Sequence, residues 1–138
     1  MTVTATDINA MIDREFPGTG NSCFEVGADF ALARHVVDPD SLRPGGFISG
    51  PTQFSLADGA LWYLVFVGIG RIEPMAMTSE LSIRYLRPAV GSTLWAKATL
   101  EKAGRRNVVG TFRVWCDDRG DKPTATGQGT YALPTQLT

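Results

Sequence analysis

Apolar Ile8, Met11 and Ile12 recur at helical spacing over residues 6–16, with Thr6 or Asp7 placed to cap the start and Pro17-Gly18 placed to stop it. This predicts a short opening helix that packs as a lid or flap. Over residues 25–37 the pattern changes to period two. Val26, Ala28, Phe30, Leu32 and Arg34 alternate with Gly27, Asp29, Ala31 and Ala33, which predicts a strand. Turn formers then fill residues 38–46 and lead to Phe47-Ile48-Ser49-Gly50, after which Pro51 suits the first position of a helix. That helix is expected to run to about residue 67 and to stop at Gly68-Ile69-Gly70. Apolar residues surround nearly its whole circumference, so it belongs in the middle of the fold.

Four runs with β character follow, at 75–86, 93–102, 107–116 and 124–133, separated by Pro88-Ala89-Val90-Gly91, Ala103-Gly104-Arg105-Arg106 and Asp117-Asp118-Arg119-Gly120. Such short turn segments fit connections between antiparallel neighbours, so the four runs are expected to form a meander. The resulting fold class is α+β, one antiparallel sheet wrapped around a single long central helix. Residues 1–138 are read as one domain, with an N-terminal helix and flap over 1–24 and the core over 25–133.

Composition narrows the classes of function. A chain of 138 residues that is 43% hydrophobic can bury one ordinary core and has no room for a second. A net charge of -1 argues against a broad nucleic-acid footprint. Two cysteines, Cys23 and Cys116, indicate neither a disulfide framework nor a metal cluster, and a reducing cytoplasm is the default location. The polar, acidic N-terminus lacks the positive start and apolar run of a secretory signal, so it is expected to stay in the mature protein. The most apolar stretch, 54–69, is shorter than the ~20 residues that cross a bilayer, and it contains Asp58, Gly59 and Gly68. It reads as a buried helix, and no membrane partner is expected.

Asp58 is the only charged residue between Pro51 and Gly70. An unpaired carboxylate there costs several kcal/mol unless it is hydrogen-bonded, faces a cleft or changes protonation state. Two readings stay open on this feature alone: a functional carboxylate, or an Asp satisfied by a nearby backbone group or arginine. The helix start supplies a second feature, because its unpaired N–H groups favour a negative oxygen and can act as an oxyanion hole. Pro51 has no N–H, which leaves Gly50 and Thr52 as donors. Asp58 lies about two turns further on, roughly 11 Å along the axis. A reacting carbonyl must sit near both groups, so one copy of the helix cannot supply both. Two copies lying antiparallel across a two-fold axis can, and a homodimer or a dimer of dimers with shared sites is expected.

At this point a family is recognisable. Gly45-Gly46-Phe47-Ile48-Ser49-Gly50-Pro51, Phe54-Ser55-Leu56-Ala57-Asp58-Gly59-Ala60 and Leu81-Ser82-Ile83-Arg84-Tyr85-Leu86-Arg87-Pro88-Ala89 with Gly91 resemble the PaaI-like hotdog thioesterases. The resemblance covers residues 25–133 and implies a hotdog-fold, cytoplasmic acyl-CoA thioesterase. In such proteins the Asp matching Asp58 attacks the thioester or activates water, and the glycine matching Gly50 polarises the carbonyl through its amide. A Ser or Thr on the next strand stands near the carboxylate; this position matches Thr78, with Ser79 as the neighbouring alternative. One departure stands out. The family commonly has His-Gly-Gly where this chain has Ser49-Gly50-Pro51, so the imidazole is replaced by a hydroxyl that donates a hydrogen bond but is no base near neutral pH.

For the thiol carrier, Arg84, Arg87, Lys102, Arg105 and Arg106 are candidates to meet the phosphates of coenzyme A, which enters as part of the substrate. Read without a ligand, the last three belong to a solvated turn. Phe54, Leu61 and Trp62 share the Asp58 side of the helix and are either acyl-pocket lining or core. Trp95 and Trp115 are assigned to packing. No metal or redox cofactor is expected. His35 is the only histidine and reads as an ordinary strand residue rather than a base or zinc ligand. Ser49 lacks the spacing of a nucleophile elbow, which argues against a serine hydrolase. Two rivals to the thioesterase remain: a non-catalytic acyl-CoA-binding hotdog protein, and a hotdog enoyl-CoA hydratase or dehydratase, which would want an Asp-His pair.

Overall fold

The computed structural model describes residues 2–134. Helix α1 spans Ala5–Glu15 and buries Ile8, Met11 and Ile12. Its cap is Thr4 rather than Thr6 or Asp7. The Thr4 hydroxyl accepts from the Asp7 N–H at 3.1 Å while the Asp7 carboxylate accepts from the Thr4 N–H at 3.0 Å. This reciprocal pair satisfies two donors that the helix end leaves orphaned.

The strand expected over 25–37 is a hairpin. It consists of β1 (Asn21–Val26) and β2 (Phe30–Val36), paired antiparallel. Gly27 makes the turn possible: its N–H donates to the Phe30 carbonyl at 2.9 Å, and a Cβ on it would stand 2.1 Å from the Phe30 ring. The sheet therefore begins at Asn21, and 21–24 belong to the core rather than to a flap.

After a short 3-10 turn, Pro39–Ser41, comes α2 (Gly50–Ile69), capped by Ser49 at its start and by Gly70, at φ 76°, at its end. The remaining strands are β3 (Met77–Tyr85), β4 (Thr93–Ala103), β5 (Asn107–Cys116) and β6 (Ala125–Ala132). They complete a six-stranded sheet in the order β1-β2-β4-β5-β6-β3, antiparallel throughout. β4, β5 and β6 form the expected meander. β3 does not join it beside β4, because it pairs with β6 at the far edge. Residues 86–92 cross the end of the sheet instead of closing a hairpin. Leu86 N–H donates to the Thr124 carbonyl, the buried Ala89 accepts from Ile48 N–H, and Ser92 accepts from Val37 N–H.

The face of the sheet toward α2 carries small residues at its centre: Ala31, Ala33, Ala96, Ala98, Gly110 and Gly129. That lets the large side chains of the helix approach closely. A Cβ at Gly110 would lie 2.6 Å from Leu64, and one at Gly129 would lie 2.6 Å from Leu61. Trp95 and Trp115 are register partners on the opposite, outer face, where Phe24 stands edge-on to Trp95 at 5.0 Å. The sheet covers one side of α2 only. A strip with exposed Phe54 and Ser55 and half-buried Asp58 is left outside it.

Candidate active site

Asp58 stands on that uncovered strip, eight residues into α2, and two hydroxyls converge on one of its oxygens. Oδ1 accepts from Thr78 Oγ1 at 2.7 Å and from Tyr131 OH at 2.7 Å, and the Tyr131 hydroxyl also lies 3.0 Å from the Asp58 carbonyl. Oδ2 takes part in neither bond. Thr78 on β3 and Tyr131 on β6 are register partners, so the pairing of these strands brings both hydroxyls to the carboxylate. A bulge at Ser79 interrupts the register directly after Thr78. Ser79 is the extra residue of that bulge and makes no bond to Asp58. Burial first, and the Asp58 carboxylate second, hold the Tyr131 phenol well above its ordinary range, so it remains a protonated donor.

A cleft of about 180 Å³ opens beside Asp58, bounded by Phe16, Asn21, Ser55, Trp62, Tyr63 and Tyr131. Trp62 therefore lines the cleft, with Phe16 edge-on to it at 5.4 Å. Phe54 is exposed on the same side of the helix. Leu61 is not pocket lining. It is buried against Gly110 and Gly129 on the sheet side, because its position turns the side chain inward to fill the space those glycines leave.

The helix start is arranged more narrowly than the sequence implies. Thr52 N–H is taken by Ser49 Oγ at 3.1 Å and Gln53 N–H by the Ser49 carbonyl at 3.2 Å. Pro51 has none, so Gly50 N–H is the one donor of the first turn left without a partner among the described residues. Tyr85 OH donates to the Gly50 carbonyl at 2.8 Å and its ring packs against the glycine, where a Cβ would meet it at 3.3 Å. Ser49 is occupied. Its hydroxyl caps the helix and lies 2.7 Å from Thr52 Oγ1, which itself donates to the Ser41 carbonyl at 3.3 Å. A hydroxyl has a single proton, so that of Ser49 goes to Thr52 and is not offered to a ligand.

A second cavity, about 440 Å³, adjoins Gly50 and is bounded by Arg43, Phe47, Tyr85, Arg87 and Pro88 among others. Arg87 also donates to the Pro123 carbonyl, which ties it to the sheet end. Arg84 is exposed on β3, alternating with the half-buried Leu81 and Ile83. Lys102, Arg105 and Arg106 surround a concavity of about 330 Å³ at the β4–β5 hairpin tip, remote in sequence from both features. The cysteines are free and buried, and burial pushes the Cys23 thiol up to about 12, which leaves it inert as a nucleophile.

The six-stranded antiparallel sheet with one long helix is the hotdog fold of thioester hydrolases. The chain belongs to the thioesterase superfamily, whose family model matches residues 45–122, the stretch that carries Gly50, Asp58 and Thr78. No curated protein sequence matches it. Among solved structures it is similar to a candidate thioesterase from Silicibacter sp., at 29% identity over 95% of this chain and 92% of that one, with a TM-score of 0.84. It shares its fold with a Haemophilus influenzae thioesterase, at 20% identity over 100% and 95% of the two chains and a TM-score of 0.82. The fold is also that of the Escherichia coli PaaI protein from the phenylacetic acid degradation operon, at 23% identity over 92% and 91% and a TM-score of 0.74.

Tyr131, Tyr85 and Asn21 were not singled out from the sequence. Tyr85 stands inside a block that carries the family resemblance, and that was its only signal. Tyr131 becomes visible once β6 is paired with β3.

Proposed function

We propose that the protein hydrolyses acyl-CoA thioesters to a carboxylic acid and free coenzyme A, at sites shared between two copies of the chain. The observation that carries this reading is the Asp58 carboxylate, fixed through Oδ1 by Thr78 and Tyr131 while Oδ2 is left for a reactant beside an open cleft. As a general base, Asp58 takes a proton from water, whose oxygen bonds to the thioester carbon. The C–S bond then breaks and the thiolate of coenzyme A leaves. As a nucleophile, Asp58 bonds to the carbon itself, the C–S bond breaks to release the coenzyme A thiolate, and water later cleaves the resulting anhydride. Both routes build negative charge on the carbonyl oxygen, which the free Gly50 N–H is suited to accept.

The separation along one helix, roughly 11 Å, argues that the Gly50 facing a given Asp58 comes from a second chain. The surface is suited to such pairing. β3 is an edge strand, and Met75, Met77, Tyr85, Leu86 and Phe54 are exposed around it and along the uncovered strip of α2. Arg43 and Arg87 beside Gly50, and the Lys102, Arg105 and Arg106 cluster, are the groups to meet the phosphates of coenzyme A.

The test is release of free thiol from short, long and aromatic acyl-CoAs. Turnover of at least one member is expected, and Asp58→Asn should lower kcat on the order of a thousandfold with an unchanged melting temperature. Equal rates for parent and variant would remove Asp58 from the mechanism. Conversion of an enoyl-CoA with no thiol release would replace hydrolysis by hydration.

A further inference from the structure

The single histidine lies on a strand, as expected, and is bonded through both ring nitrogens. His35 on β2 is 7% exposed, with Nδ1 2.8 Å from Asn21 Oδ1 and Nε2 2.6 Å from Ser41 Oγ. Ser41 ends the 3-10 turn and is 2% exposed. Its hydroxyl lies 2.9 Å from Asp38 Oδ1 and accepts from the Asp38 N–H at 3.2 Å. His35 Nε2 meets the same Ser41 hydroxyl, so imidazole, hydroxyl and Asp38 carboxylate form one connected group. The Ser41 hydroxyl bond holds the Asp38 carboxyl below its ordinary range, in keeping with an ionised acceptor at the end of this chain. A Ser-His nucleophile is not what the arrangement provides, because Ser41 is shut off from solvent.

What Ser41 does hold is the start of α2. Its carbonyl accepts from Ser49 N–H at 2.9 Å and from the Thr52 hydroxyl at 3.3 Å. These two residues flank Gly50-Pro51 and are bonded to each other through their hydroxyls at 2.7 Å. Pro51 has no N–H to anchor the segment from within. On its other side His35 meets Asn21, which borders the Asp58 cleft and reaches Ser55 Oγ at 3.4 Å.

We infer that His35 is a positioning residue for thioester hydrolysis: through Ser41 it fixes the direction of the Gly50 N–H that receives the carbonyl oxygen. The inference rests on the reading of Gly50 as the carbonyl-binding group. His35 touches no reacting atom, and its effect is on geometry, where a misplacement of about 1 Å costs on the order of a hundredfold in rate.

The experiment compares kcat and KM of His35→Leu, His35→Gln, Ser41→Ala and Gly50→Pro in the full chain, with melting temperatures and the Gly50 amide resonance of 15N-labelled protein. His35→Leu fills the space without a donor and should lower kcat on the order of tenfold, with KM little changed and the Gly50 resonance shifted. His35→Gln keeps a polar amide, able to donate or accept, toward Ser41 and should restore most of kcat. Should the Leu variant not fold, a kcat loss in Ser41→Ala with KM retained carries the same meaning. Parental kcat in folded His35→Leu or in Ser41→Ala overturns the inference, and so does a Gln variant as slow as the Leu variant. Gly50→Pro separates the two readings. If it keeps parental kcat, the role of Gly50 is wrong; if it is slow while His35→Leu is not, only the role of His35 is wrong.

Discussion

At the scale of single residues the site consists of one carboxylate and the two hydroxyls that orient it. Each bond to the charged Asp58 is worth about 1.5–3 kcal/mol. Thr78→Val and Tyr131→Phe should therefore each lower kcat on the order of tenfold to a hundredfold while leaving the carboxylate present. The double variant should lose less than the product of the two, because both hydroxyls act on the same oxygen. Steady-state kinetics on a turned-over acyl-CoA checks this, and parental rates in either single variant would mean that orientation of Asp58 does not limit the reaction. Asp58 was legible in the sequence because a lone charge in an apolar helix is costly and hence conspicuous. Thr78 was reached by resemblance. Tyr131 and the His35 pairing were not legible, since each depends on contacts between residues far apart in the chain.

At the scale of elements, what positions the site is how β3 reaches the far edge. The alternating pattern gave the strands, and the three-strand meander followed from its turns. The turn residues at 88–91 suggested a hairpin equally well, yet that segment is pinned across the sheet end by Ile48, Val37 and Thr124 rather than closed on itself. The hairpin at Gly27 was hidden for a related reason, since alternation continues through a turn that glycine permits. Asp117 secures the crossing segment. At φ 52°, its Oδ1 accepts from Ser92 N–H, Ser92 Oγ and Thr93 N–H. The Thr93 N–H first, with the Ser92 groups, holds its carboxyl below the usual carboxylate range. A depressed folded value means that this contribution to stability is complete above the unfolded value and is lost as pH falls through the folded one. Asp117→Asn tolerates the left-handed backbone and keeps an acceptor. It should show a shallower loss of melting temperature than the parent between pH 5 and pH 2, and an identical pH profile would deny Asp117 that role.

At the scale of the whole molecule, the long helix explains the core and underlies the proposal of a second chain. Its apolar circumference marked it as central, and small residues on the sheet let it sit close. The sheet leaves one strip bare, and that strip carries the carboxylate. The Gly50 N–H and the Asp58 carboxylate are then too far apart within one chain to meet a common carbonyl.

Subunit mixing tests this most directly. Gly50→Pro removes the N–H at a first-turn position whose backbone suits proline, with Ser49 already at ψ 154°, and Gly50→Ala, which meets the Tyr85 ring at the same 3.3 Å but keeps the N–H, is the packing control. Asp58→Asn removes the carboxylate. Gly50→Pro and Asp58→Asn alone should each be nearly inactive. Unfolded together and refolded, they should form mixed dimers in which one of the two sites is intact, recovering about a quarter of parental activity under random pairing. No recovery from a preparation shown to contain mixed dimers would contradict a site built from two chains.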